Sequence, residues 1–120
     1  MDILHVERTD ETPEVLMNKA TGTFEISGRS LPEDSVEFYK PVFDWIAQYK
    51  KSPNPTTEFV LKLEYINTAS SKVIQDVLLA FEGISKATVV WYYLEDDEDM
   101  EAMGREYAEL MKLPFEFKSY

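Results

Sequence analysis

The chain has no cysteine and a single histidine, His5, among its 120 residues. Without thiols there is no disulfide framework, no Cys-ligated metal site and no thiolate nucleophile, and nothing requires an oxidising compartment. A lone imidazole has no second His or Cys with which to build a metal site or a nucleophile–base pair, so His5 reads as a surface side chain. Glycine is scarce, and none of the four glycines fits the P-loop spacing, which removes the commonest phosphate-cradling loop. Long apolar runs are missing: no stretch approaches the roughly 18 residues of a membrane span, and the N-terminus lacks a basic region followed by an apolar one. Basic side chains are the minority, with 12 Lys and Arg against 23 Asp and Glu, for a formal charge of −11. Such a chain repels nucleic-acid backbones and anionic lipid unless it carries a local basic patch, and none is evident. The expectation is a cytoplasmic protein with neither nucleic acid nor membrane as partner.

What is present suits one globular domain over residues 1–120, with no repeat and no linker longer than Lys50–Thr57. Phe24 and Ile26 alternate with polar neighbours, and with Thr12–Met17 they predict a hairpin turning through Asn18 and Gly22. Leu31–Val36 carries a helix-start signal with Ser30 available as N-cap, and Val36, Tyr39, Val42, Phe43, Ile46 and Tyr49 recur at helical spacing. Pro41 within that stripe predicts a kink or a fresh start near Lys40. Glu58–Ile66 is the clearest strand, with Phe59, Leu61, Leu63 and Tyr65 on one face and Lys62 and Glu64 on the other. A strand covered on both sides would be apolar throughout, so helices are expected mainly on one face of the sheet. From Ser70 the period becomes helical through Val73, Ile74, Val77, Leu78 and Phe81, ending at Gly83 as C-terminal cap. Ala87–Leu94 reads as a central strand. A helix with Met100, Met103, Tyr107, Leu110 and Met111 as its stripe and a last strand, Pro114–Lys118, follow. The order β-β-α-β-α-β-α-β predicts an α/β fold built on a mixed sheet with right-handed crossovers.

Asn67–Lys72 lies where the best strand hands over to the best helix, the junction that faces the ligand-binding crevice in open α/β sheets. Thr68, Ser70 and Ser71 put three hydroxyls in a first helical turn, where unpaired N–H groups and the helix dipole favour negative charge. A phosphoryl group there is stabilised locally and alters the electrostatics of the sheet end. The plainer reading is that Asn67 and these hydroxyls cap a helix. The two are compatible, since one hydroxyl can cap in one state and carry phosphate in another.

A strand that ends in Asn67-Thr68 and opens a helix resembles the Asp-Ser junction of anti-sigma factor antagonists of the STAS fold. A closer resemblance is to the SiaC family of bacterial regulatory phosphoproteins. It is carried by Gly28-Arg-Ser-Leu-Pro-Glu33, Phe38-Tyr39 with Pro41 and Trp45, Leu63-Glu-Tyr-Ile-Asn-Thr-Ala-Ser-Ser-Lys72, Trp91-Tyr-Tyr93, Glu95-Asp-Asp-Glu-Asp-Met100 and Leu113-Pro-Phe-Glu-Phe117. These segments span nearly the whole chain in order; Ile66 and Ala69 depart from the pattern. The resemblance implies a STAS-like fold and a protein that acts by binding. It further implies that Thr68 is phosphorylated by a dedicated Ser/Thr kinase and restored by a metal-dependent phosphatase. It implies too that the unphosphorylated form engages and activates an effector, a diguanylate cyclase in the best-known branch, so that cyclic di-GMP rises and biofilm or aggregation is favoured.

Around Thr68, the candidate partner surface is Asn67, Ala69, Ser70, Ser71 and Lys72 with Arg29. Ser70 and Ser71 are secondary candidates for phosphorylation, and Lys72, like Ser70 and Ser71, for phosphate contact. The run Glu95–Asp99 with Glu101 gathers six carboxylates in seven positions. It fails calcium-loop spacing, because counting from Asp97 the sixth and twelfth places are Ala102 and Ala108 rather than Gly and Glu. It reads as a solvated loop and acidic helix start, and no metal or cofactor is expected. An enzyme would have to work with carboxylates and hydroxyls alone. That reading, and an anti-sigma factor antagonist, are the alternatives to a phosphorylation-controlled switch.

Overall fold

The computed structural model describes all 120 residues. The elements run β1 (Leu4–Val6), β2 (Glu14–Asn18), β3 (Thr23–Ser30), α1 (Ser35–Tyr49), β4 (Thr57–Ile66), α2 (Thr68–Phe81), β5 (Ala87–Tyr93), α3 (Glu98–Leu110) and β6 (Phe115–Ser119). The six strands form one sheet in chain order. β1, β2 and β3 pair antiparallel, and β3 to β6 pair parallel. Three successive crossovers of one hand between neighbouring strands place α1, α2 and α3 on the same face. The core fills the layer between, from Val15, Phe24 and Ile26 through Phe59, Leu61, Ile74 and Leu78 to Val89 and Trp91.

The alternation in β4 behaves as its sequence predicts up to Leu63. Phe59, Leu61 and Leu63 are buried under the helices, and Glu58 and Glu64 are exposed. The pattern then slips. Gly28 pairs with Leu63 but Arg29 pairs with Tyr65, so β4 carries one extra residue at a bulge. A one-residue slip exchanges the faces. Tyr65, expected inside, is 51% exposed, and Ile66 takes the buried place. Opposite the bulge Gly28 has φ of +108°, and the Arg8 guanidinium lies 3.5 Å from where its Cβ would stand.

Four other expectations change. β1 was not anticipated: three residues around His5 are too short for period-2 alternation to show, yet they pair with Val15–Met17. Asp34, not Ser30, caps α1, accepting from the Glu37 N–H at 3.1 Å, and Ser30 is the last residue of β3. α1 does not restart at Lys40; it runs through Pro41, which is exposed, so the i−4 bond its missing N–H removes is lost on the solvent side of the helix. Val36 and Leu110 leave their stripes and are 70% and 63% exposed. The hairpin, α2, β5 and β6 stand where the sequence put them, and Gly83, at φ +90°, ends α2.

Trp91 and Gly104 fix α3 on the sheet. The indole Nε1 donates to the Met100 carbonyl at 3.0 Å, and a Cβ on Gly104 would lie 2.5 Å from the indole ring. No helix is long and apolar enough to cross a membrane.

Candidate functional site

The carboxyl ends of β3, β4 and β5 and the N-termini of α1, α2 and α3 meet at one end of the sheet. Asn67 is the N-cap of α2: its Oδ1 accepts from the Ser70 N–H at 2.8 Å and its carbonyl from the Ser71 N–H at 3.0 Å. Its own N–H donates to the Ser30 carbonyl at 3.0 Å, tying the cap to the end of β3. Thr68 is the first helical residue and is exposed, as is Ala69. The N–H groups of Thr68 and Ala69 have no protein partner and point out of the helix end. No acid stands in the first turn of α2, whereas that of α3 holds Glu98, Asp99 and Glu101.

Beneath this turn lies a chain of buried hydroxyls. Ser70 Oγ accepts from Ser30 Oγ at 2.9 Å and lies 3.1 Å from Ser35 Oγ. With its one proton given to Ser70, Ser30 accepts from Tyr39 Oη, 2.7 Å away. Burial pushes the Tyr39 phenol up to about 12, so it stays a neutral donor. Tyr107 Oη donates to the Ser71 carbonyl at 2.6 Å, and its pKa is also raised, by burial first and by the nearby Tyr39 and Glu106. These bonds join β3, α1 and α3 to one helical turn.

The predicted residues therefore separate by role. Thr68 and Ala69 lie at the surface, and Asn67 is half-buried as the cap. Ser71 Oγ turns back to the Thr68 carbonyl at 2.8 Å. Ser70 is 0% exposed with its hydroxyl engaged, which withdraws it from the candidates for modification or partner contact: a kinase would have to unfold the turn to reach it. Lys72, one turn beyond Thr68, pairs with Asp76 at 3.3 Å. Arg29 is exposed beside Tyr65 at the end of β3 and makes no ion pair. The acidic run supplies Asp97 as N-cap of α3, its carboxylate accepting from the Met100 N–H at 3.0 Å, and no three of its carboxylates converge as metal ligands. His5 is 3.5 Å from Glu14 on the distant edge of the sheet.

Ser30, Ser35 and Tyr39 were absent from the sequence-based site, and so was Tyr65. Ser30 and Ser35 flank a helix start and look like caps; Tyr39 looks like one more apolar position. Only the fold reveals that their hydroxyls meet Ser70. Two shallow grooves flank the Thr68 turn. One, of about 310 Å³, lies between α2 and α3 and is lined by Ser71, Lys72, Gln75, Met103, Tyr107 and Leu110 among others. The other, of about 300 Å³, runs along Tyr65, Ile66, Asp99, Met100 and Met103. Met103 lines both.

The fold and this junction define a class: a one-sided mixed α/β protein that presents an exposed hydroxyl on a capped helix N-terminus at the carboxyl ends of parallel strands. The chain belongs to the SiaC family of regulatory phosphoproteins, whose pattern it matches over residues 6–120. It resembles apo-SiaC from Pseudomonas aeruginosa with a TM-score of 0.88 and 28% identity, over 99% of this chain and 100% of that one. It also resembles a chain in the crystal structure of the diguanylate cyclase SiaD in complex with its activator SiaC, from the same organism. That match has a TM-score of 0.89 and 27% identity, over 98% of this chain and 99% of the other. An uncharacterised protein of P. aeruginosa strain UCBPP-PA14 is 28% identical over 124 residues, spanning 100% of this chain and 98% of the relative.

Proposed function

We propose that this protein is a non-enzymatic, cytoplasmic activator of a diguanylate cyclase, switched by reversible phosphorylation of Thr68. The observation that carries the site assignment is the first turn of α2. Thr68 is its exposed hydroxyl, two backbone N–H groups there are free, and no carboxylate competes with a phosphate for them. Family membership supports control by phosphorylation, and the likeness to a SiaC chain bound to its cyclase supports the effector class. Both weigh against an anti-sigma factor antagonist and against an enzyme built on clustered carboxylates.

In the unmodified state, Thr68, Ala69 and Lys72 form a docking surface with the two grooves beside them. Tyr65 and Met103 supply apolar area within it. Phosphate on Thr68 places about two negative charges inside that interface; two helix N–H groups meet only part of them, and docking strips the water from the rest. A Ser/Thr kinase writes the mark and a metal-dependent phosphatase removes it. Incubation with the cognate kinase and ATP, with the modified residue mapped by mass spectrometry, tests the assignment. A single phosphate on Thr68 is expected; modification of Ser71 with Thr68 untouched would overturn it.

A further inference from the structure

β6 closes one side of the sheet, and its hydrogen-bonding pattern sets which backbone groups are spent. Val89 N–H donates to the Pro114 carbonyl at 2.9 Å, and Tyr120 N–H donates to the Tyr93 carbonyl at 3.0 Å. With Val89 opposite Phe115, Trp91 opposite Phe117 and Tyr93 opposite Ser119, the groups of Glu116 and Lys118 face β5. Those of Phe115, Phe117 and Ser119 point away from the sheet. No backbone bond from another part of the chain covers them, so a five-residue edge is open to a further strand. The opposite edge, β1, offers only three residues.

The side chains on this edge are self-complementary. In an antiparallel pair related by a two-fold axis at Phe117, the two Phe117 residues exchange N–H and carbonyl bonds, and Phe115 does so with Ser119 of the second copy. Glu116 then stands directly opposite Lys118 of the other copy, and Lys118 opposite Glu116. Both contacts fall at non-hydrogen-bonded positions, where facing side chains come closest. On the other face Phe117 meets Phe117. We propose that β6 is a homodimerisation edge: two copies of this chain join their sheets antiparallel through Phe115–Ser119, with reciprocal Glu116–Lys118 pairs setting the register. Thr68 follows β4, which β5 separates from this edge, so pairing leaves the switch turn free.

The test measures the mass of the full chain by sedimentation over a range of concentrations, with single and double charge reversals at two exposed positions. The wild type is expected to dimerise weakly. Glu116→Lys and Lys118→Glu should each dissociate the dimer by about tenfold or more, and the double reversal should restore it. Bulk charge predicts something different, because Glu116→Lys lowers the net negative charge of the chain while Lys118→Glu raises it, so the two singles would then act in opposite directions. Independently of any variant, amide exchange at Phe117 and Ser119 should slow as protein concentration rises. A wild type that stays monomeric up to about 1 mM, the weakest affinity worth assigning to such an edge, overturns the proposal. So does a dimer indifferent to the single reversals, or exchange at those amides that concentration leaves unchanged.

Discussion

Ser30 and Ser70, 40 residues apart in the chain, share a 2.9 Å hydrogen bond between two fully buried hydroxyls. One closes β3 and the other lies in the first turn of α2, so this bond sets where the turn that carries Thr68 sits against the sheet. Every buried side-chain polar atom has a partner, and removing one member of the chain leaves its neighbour unsatisfied.

Ser70→Ala is therefore expected to cost about 1–3 kcal/mol, more than loss of an exposed hydrogen bond, because it strands the Ser30 proton in a dry site. Urea denaturation measures it. Ser30→Ala should cost a similar amount by stranding the Tyr39 hydroxyl. The double variant should fall short of the sum, since the Ser30–Ser70 bond can be lost only once. Strict additivity would mean that the hydroxyls do not act as one chain.

Gly104→Ala is a second test, and here helix propensity and packing have opposite signs. Alanine favours a helix interior over glycine by about 1 kcal/mol. A methyl 2.5 Å from the Trp91 ring must push α3 off β5 or turn the indole out of its bond to Met100. Overpacking of this kind costs about 1–3 kcal/mol and sometimes more. A net loss of stability, accompanied by a change in tryptophan fluorescence, is expected. A stabilised variant would show that the helix gives way freely.

The elements with strong periodicity were legible: β4 to Leu63, α2 from cap to Gly83, and the hairpin all follow from local pattern. What escaped was set by pairing between strands. The Tyr65 side chain points outward because β4 carries an extra residue where it passes Gly28, and nothing within β4 announces a bulge that exists only in its pairing with β3. Ser30 shows the same limit. Ser-Leu-Pro-Glu reads locally as a cap, but the strand continues through Ser30 and the helix waits for Asp34. Thr68 was legible as a candidate because its signal is local, an Asn cap followed by hydroxyls at a strand-to-helix junction. Its hydroxyl support was not, because that is assembled from three elements.

Alkaline pH should loosen this support first. The Tyr39 phenol has the ordinary tyrosine pKa of 10.0 in the unfolded chain and is pushed up to about 12 in the fold. Its neutral form is the one the fold prefers, so its contribution is complete below pH 10 and fades as pH rises through 12. The difference is worth about 2–3 kcal/mol. Tyr107 is shifted in the same direction and adds to the trend. Urea midpoints between pH 9 and pH 12 should drop in the wild type and drop less in Tyr39→Phe, which starts lower for want of its bond to Ser30. Parallel profiles would show that Tyr39 does not titrate with unfolding.

Substitution of Thr68 separates switching from folding. Thr68 is exposed at the first position of α2 and its hydroxyl makes no bond, so Thr68→Ala should change stability by less than about 0.5 kcal/mol. A negative charge at that position interacts favourably with the helix dipole, so Thr68→Asp should leave the fold as stable or raise it by about 0.3–1 kcal/mol. Binding is expected to respond the other way. Thr68→Asp should weaken association with the proposed cyclase partner at least tenfold, because the carboxylate must be desolvated in the interface, and Thr68→Ala should bind as the wild type does. Thermal melts and titration calorimetry on the same samples read both quantities. Equal affinities for the two variants would remove Thr68 from the switch. An affinity lost only together with stability would make the turn a structural element and not a signalling one.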